Sequence, residues 1–416
     1  MSDQEQVLEA LEARLRPGAT VFCSGGLAEP SGLLELLSAH SELARDVRLV
    51  LIRPPGVQLA EIDLPNTTVV CFFQPADLEA GRNVGAIEFL PKQYSQICRY
   101  LSETDFDLAL GQFGPRADET LSYSLCADFL PLLVDRGVPL IAEVNALLPA
   151  SIGAASLDRD RCIGILDSRR EPARLESAST ATAEAIGAQV ATLVSDGDCV
   201  ETGIGSIPDA VLRALQEKND LGIHSGMISD GVAELVERGV VTGACKTIDR
   251  GRVVTGFALG STGLYEWASS DPAVSFRDVS YTHDTSVLGQ IDNFKAVNSA
   301  IEVDLFGQVN AETVRGRQLS GIGGALDFMR GAARSRGGTS VVALPATAAK
   351  GKVSRIVPRF APGNLATAAR SELDAVATEY GVAQVRDLSV ADRARALAEI
   401  AAPEFRDELR AAAAEL

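Results

Sequence analysis

Two glycine-rich turns that open helices are the residues best suited to do chemistry. "ETGIGSIPDAVLRAL", residues 201–215, sets Gly203 and Gly205 between a strand pattern and a helix pattern. Glycine lets backbone N–H groups approach a ligand closely. A helix N-terminus adds about half a positive elementary charge. The run Gly203, Ile204, Gly205, Ser206 and Ile207 therefore suits an anion or a developing oxyanion. Ser206 is expected to cap the helix, with Pro208 in its first turn and Asp209 at the third position of a capping box. No third glycine follows at the dinucleotide spacing. "QLSGIGGALDFMRGAA", residues 318–333, repeats the logic with Gly321, Gly323 and Gly324. On these residues alone, plain structural turns and a shared ligand site are both open.

Other groups carry weaker chemical signals. "LGIHSGMISDG", residues 221–231, reads as a short strand, a turn and the start of a helix. Its His224 and Ser225 are not a nucleophilic dyad, because neighbouring strand residues point to opposite faces. Cys245 has a basic neighbour, Lys246, which favours a thiolate, yet a buried structural cysteine is the simpler reading. The seven cysteines are scattered and form no CxxC, so neither a metal site nor a disulfide framework is expected. Within an acidic chain, residues 315–359 are basic, with Arg315, Arg317, Arg330, Arg334, Arg336, Lys350, Lys352, Arg355 and Arg359 against Asp327 alone. That contrast fits either a solvated face or a patch for a phosphorylated ligand.

The elements that must position these residues follow from the apolar pattern. "ATVFCSGG", "VRLVLIRP", "TTVVCFFQ", "FDLALGQF" and "VPLIAEVN" read as strands. "SGLLELLSAHSEL", "PKQYSQICRYLSE" and "YSLCADFLPLLVDRG" read as helices between them. Such alternation predicts a parallel sheet with helices on both faces. The stretch 171–195 starts polar and ends as an alanine-rich helix, and the domain boundary is expected there. The alternation then restarts through "DCVETGIG", "IPDAVLRALQEK", "LGIHSGM", "GVAELVERG", "RVVTGFALGS" and "TSVVALP", ending in a helical tail. Two α/β domains result, 1–185 and 186–416.

Bulk composition narrows the function. The 416 residues carry a net charge of −18, which excludes general nucleic-acid binding and docking on anionic membranes. The N-terminal "MSDQEQVLEALEARLRPG" reads as an acidic amphipathic helix and not a signal peptide. No apolar run is long enough to cross a bilayer. Scattered thiols point to a reducing compartment, and the cytoplasm is the expected location.

Taken together, the chain resembles the acetyl-CoA hydrolase/transferase family, which includes 4-hydroxybutyrate, butyrate and acetate CoA-transferases. The marks are "TGIGSIPDAVL", "LGIHSGMISDGVAELVERGVVTG", "NSAIEVDLFGQVN", "SGIGGALDFMRGA", "TAAKGKVSRIVP" and "ATEYGVA". "EFLPKQYSQI" and "LIAEVNALLP" are looser family segments. The resemblance implies two open α/β domains of the CoA-transferase type, with mostly parallel sheets. It implies coenzyme A or acyl-CoA as substrate, a small-molecule acceptor, no metal, no covalently bound cofactor and a homo-oligomer. It places Gly203 to Ile207, Ile301, Gly321, Gly323 and Gly324 against CoA. It also implies a covalent route. A glutamate attacks the acyl-CoA to give a mixed anhydride, and CoA returns to form a glutamyl-CoA thioester that a second carboxylate resolves.

The sequence departs from that pattern where the route needs it most. The family glutamate belongs in His224-Ser225-Gly226-Met227, at the position of Gly226. His283, in "SYTHDTSV", stands where the family commonly has asparagine. Histidine titrates near neutrality, so His283 is a candidate general base or a hydrogen-bonding replacement. "GQFGPRADETLSYS" keeps only Pro115 of a loop that shapes the acceptor side in relatives. Three readings are open. The first is an acyl-CoA transferase or hydrolase without a glutamyl-CoA intermediate. The second is a carboxylate CoA-transferase using another acid; Asp230 and Glu234 lie nearby on the following turn and helix, whereas Glu302 and Asp304 sit in the shared family segment "IEVDL" and are expected to keep structural or supporting roles. The third is a non-catalytic CoA-binding or partner protein.

Overall fold

The structure is a computed structural model that describes residues 2–53, 61–73, 83–175 and 178–416. Pro54 and Gln74, at the ends of two expected strand stretches, lie outside the described residues, as do residues 176–177 within the expected boundary stretch. The chain divides into two compact units. One comprises Met1–Glu176 with Thr255–Tyr281, the other Ser177–Val254 with Thr282–Leu416.

The first unit is built on seven parallel strands. Their order across the sheet is Asn83–Phe89, Asp63–Cys71, Arg48–Leu51, Thr20–Cys23, Leu108–Pro115, Leu140–Asn145 and Cys162–Ser168. Runs such as "LIAEVN", in which every residue is buried, are what a sheet covered on both faces requires. The N-terminal helix Asp3–Arg14 starts at a capping box made by Ser2 and Glu5 and buries Val7 and Leu11. The helix expected over "YSLCADFLPLLVDRG" is shorter, Leu130–Asp135. Ser124 (φ 59°) and Asp128 (φ 31°) both sit at positive φ, so the preceding segment turns and the helix starts late.

In the second unit, six strands run Gly222–Ile228, Cys199–Thr202, Phe294–Ser299, Thr339–Ala343, Ala375–Thr378 and Gly381–Gln384. All neighbours are parallel except the last pair. Chain order leaves Cys199–Thr202 to one side for Gly222–Ile228, then returns on its other side with Phe294–Ser299. This is a topological switch point, where open α/β sheets form crevices at the carboxyl ends of their strands. The helical tail is two helices, Val390–Glu399 and Pro403–Ala414, broken where Pro403 cannot continue the first. Their Leu397, Ala398 and Leu409 join a core with Val303, Leu344 and Val376. Fully burying each such aliphatic side chain stabilises the unit by about 1.5–3 kcal/mol for the larger ones.

Candidate active site

The site is set by strand register at the switch point of the second unit. Cys199 pairs with Gly222 on one side and Phe294 on the other, and Glu201 pairs with Ala296. Side chains alternate along a strand, so Cys199 and Glu201 share a face with His224, Gly226, Phe294, Ala296 and Asn298. A bond across the switch point confirms this: Asn298 Nδ2 donates to Glu201 Oε2 at 2.9 Å. The helix Ala325–Arg334 covers the face through Phe328 and Ala332, which cluster with Cys199, Leu288, Ile291, Phe294 and Ala296.

His283 fills the middle of this face. A Cβ added at Gly226 would lie 2.8 Å from His283 Cε1 and 2.9 Å from Nε2. A Cβ added at Gly324 would lie 2.4 Å from the same Nε2. Neither glycine has a positive φ (Gly324 is at −92°), so both are needed for space and not for backbone freedom. The ring packs on Phe328 with centroids 4.5 Å apart, and its Nδ1 lies 2.9 Å from Thr282 Oγ1. His283 is 2% exposed. Burial disfavours the imidazolium and pulls its pKa down to about 3, so the ring is neutral near pH 7.

The glycine turns stand at the carboxyl ends of the same strands. Cβ atoms added at Gly203 or Gly205 would meet nothing within 4 Å, so this turn presents open backbone. The helix is Ser206–Ala214, and its N-cap is Gly205 at φ 110°. The cap expected from Ser206 is absent: Ser206 is the first helical residue, and no side chain caps this end. Asp209 instead accepts from Ser229 Oγ at 2.9 Å, tying this helix to the start of Asp230–Glu237. In the second turn Gly323 adopts φ 68° and Gly324 is the N-cap of Ala325–Arg334, again without a side-chain cap. Ile301 follows the strand Phe294–Ser299, its N–H held by the Asn310 carbonyl at 2.8 Å.

Several other candidates are committed elsewhere. Ser225 Oγ donates to the Thr202 carbonyl at 2.9 Å, and His224 Nε2 lies 3.3 Å from the Thr282 carbonyl. Cys245 is exposed and not a buried structural thiol, while buried Lys246 donates to the carbonyls of Ile223 and Arg252. Glu302 accepts from Asn310 and Asn364, and Asp304 organises its own loop by accepting from Phe306 and Gln308. In the basic segment Arg330 faces Glu372, Arg336 pairs with Asp292, and Arg359 stacks over Phe306. Arg315, Arg317, Lys350 and Lys352 are exposed. Among the described residues no group of three or more His, Cys, Asp or Glu is arranged to hold a metal, and no helix is long and apolar enough to cross a membrane.

Sequence reasoning missed Glu201. It is 2% exposed, and burial raises its pKa to about 8, against the lowering effect of Asn298 and the Val297 backbone. Its signal was present: an acid inside the otherwise uncharged strand "CVET", directly before the glycine turn.

Comparison with known proteins shows the family of the chain. Residues 260–413 match the model of the acetyl-CoA hydrolase/transferase C-terminal domain. The 4-hydroxybutyrate coenzyme A transferase of Clostridium kluyveri is 38% identical over 331 residues, covering 79% of this chain and 77% of the relative. The chain belongs to the acetyl-CoA hydrolase/transferase family. Another family relative, the succinyl-CoA:acetate/propanoyl-CoA:succinate CoA transferase of Fasciola hepatica, is 32% identical over 96% of this chain and 85% of its own length. The crystal structure of RipA from Yersinia pestis is 30% identical, covers 100% of this chain and 99% of that one, and superposes with a TM-score of 0.89. The α/β architecture with mostly parallel sheets is thus that of CoA-transferases.

Proposed function

We propose that the protein is an acyl-CoA-dependent transferase or hydrolase that works without a glutamyl-CoA thioester. One observation carries the reading: the space a side chain at position 226 would enter is filled by the His283 imidazole. On this reading Gly226 stands where the family's glutamate is expected, and covalent shuttling needs an ionised carboxylate there. A neutral ring takes that volume instead. The groups that would receive CoA are the open turn Gly203 to Ile207 and the run Ile301, Gly321, Gly323 and Gly324. Uncapped helix N-termini at both glycine turns favour negative charge, such as a developing oxyanion. The base role considered for His283 is disfavoured because burial penalises the imidazolium that proton uptake would form. The ring instead shapes the face on which the thioester would lie.

A second reading, carboxylate CoA-transfer through a different acid, has one specific support: the Glu201 carboxyl lies on the same face as Gly226. The test is free-thiol release from acetyl-, butyryl- and succinyl-CoA with water, carboxylates or amines as acceptors. The proposal expects thiol release with at least one pairing. CoA binding with no thiol release under any pairing overturns it: new acyl-CoA formed on the added carboxylate, read by mass spectrometry, then supports the second reading, and its absence leaves a non-catalytic CoA-binding protein.

A further inference from the structure

The Glu201 carboxyl is an acid that the register delivers to the switch point, and the acyl-CoA reading proposed above assigns it no role. Two strands pin it there, its own and that of Asn298, whose amide donates to Oε2 at 2.9 Å. Directly after it the chain enters the open turn at Gly203 and Gly205. A carboxylate that only held the sheet together would be an expensive choice in a buried strand, where an apolar residue packs without desolvating a charge. A carboxyl desolvated beside an open, anion-favouring turn is instead how proton-transfer groups are tuned.

We propose that Glu201, held by Asn298 beside the open glycine turn, is the proton-transfer residue of the thioester reaction. The inference rests on the acyl-CoA reading above. In the step, the acceptor H–Nu (water, or an alcohol or amine) adds to the thioester carbonyl carbon. The C–Nu bond forms as the Nu–H proton passes to the ionised Glu201 carboxylate. The C–S bond then breaks, and Glu201 returns that proton to the departing sulfur. Acyl-Nu and free CoA thiol leave, and the carboxylate is restored. No redox partner is required.

Several titratable groups reach this face from the packed elements. They are Cys199 on the same strand, His224 on the neighbouring strand and His283; the covering helix also carries the buried acid Asp327 in its first turn. Burial pushes the Cys199 thiol up to about 11 and His283 down to about 3, so neither changes charge near pH 8. Glu201, raised to about 8, does.

The experiment is the pH profile of thiol release from the best acyl-CoA for wild type, Glu201→Gln, Glu201→Asp and Asn298→Ala. Wild-type kcat/KM is expected to rise with pH and level off near 8. Glu201→Gln is expected to lower kcat by about 10²–10⁴-fold, leave KM within a few fold and flatten the rising limb. Glu201→Asp restores part of kcat and keeps the limb. Asn298→Ala moves the limb to higher pH, because the amide it removes favours the ionised carboxylate. The proposal is overturned by Glu201→Gln turning over like wild type, or losing rate with an unchanged profile. If Glu201→Gln does not fold by circular dichroism, the unmoved limb of a folded Asn298→Ala overturns it instead. A covalent adduct on Glu201 makes it a nucleophile and also overturns it. Wild type without any turnover sinks the acyl-CoA reading with it, whereas active Glu201→Gln sinks this inference alone.

Discussion

At the scale of single residues, Gly226 and His283 are one feature. The imidazole occupies the volume that a side chain at 226 needs, and Gly324 closes the other side. Gly226→Ala should therefore overpack the site and cost about 1–3 kcal/mol in denaturant melts. His283→Ala should leave a cavity, yet make position 226 tolerant. In a double-mutant cycle the pair is expected to couple by about 0.5–3 kcal/mol, the double variant being more stable than the sum predicts. Additive losses would contradict the packing described. Restoring a carboxylate follows the same logic: Gly226→Glu alone meets the ring, whereas Gly226→Glu with His283→Asn should open acetate-dependent CoA exchange, measured by label exchange. The sequence alone marked both positions as departures. Their contact was not legible there, because it depends on how the segment after Tyr281 folds back onto a strand far earlier in the chain. Glu201 escaped notice for a related reason: register, not spacing, gives it its neighbours.

Among the elements, the glycine turns separate folding from ligand binding. A Cβ at Gly203 meets open space, so Gly203→Ala should leave stability within about 0.5 kcal/mol of wild type. If the turn receives CoA closely, the same methyl should weaken CoA binding by about tenfold or more, roughly 1.4 kcal/mol by calorimetry. Unchanged affinity would remove this turn from the site. Alternating apolar runs and amphipathic stretches made the α/β class readable, since fully buried strands such as "LIAEVN" have no other use. The strands Asn83–Phe89 and Cys162–Ser168 escape a pattern reading, because their residues are mostly exposed or half-buried and form no apolar run. The helix start at Gly205 was misassigned to a Ser206 cap, as backbone conformation decided the boundary and not a side-chain hydroxyl.

For the whole molecule, buried carboxyls set how stability follows pH. Asp128 in the first unit is raised to about 8 by burial and by nearby Asp278, and its Oδ1 has no hydrogen-bond partner among the described residues. Glu201 in the second unit is raised to about 8 as well. Below the unfolded values, 3.8 and 4.5, these carboxyls are protonated in both states. Between there and about 8 the unfolded chain ionises first, so each group lowers stability by about 1.4 kcal/mol per pH unit as pH rises. Above about 8 the loss levels off. Asp128→Asn removes one such group, so its stability relative to wild type should climb from pH 5 to pH 8 in denaturant melts. A difference that stays flat across that range would mean Asp128 is ionised throughout. The net charge of −18 argues against nucleic acid as a partner class but does not point to a ligand, because the proposed site relies on a few backbone N–H groups that composition does not register.

The claim on which the account turns is that acyl-CoA chemistry here leaves no carboxylate-linked intermediate. The direct measurement is to incubate the protein with a turned-over acyl-CoA, trap with borohydride or hydroxylamine, and map every glutamate and aspartate by peptide mass spectrometry. The account predicts released CoA thiol with all acidic side chains unmodified. A glutamate or aspartate carrying the trap would contradict it and show that the covalent route has moved to another residue.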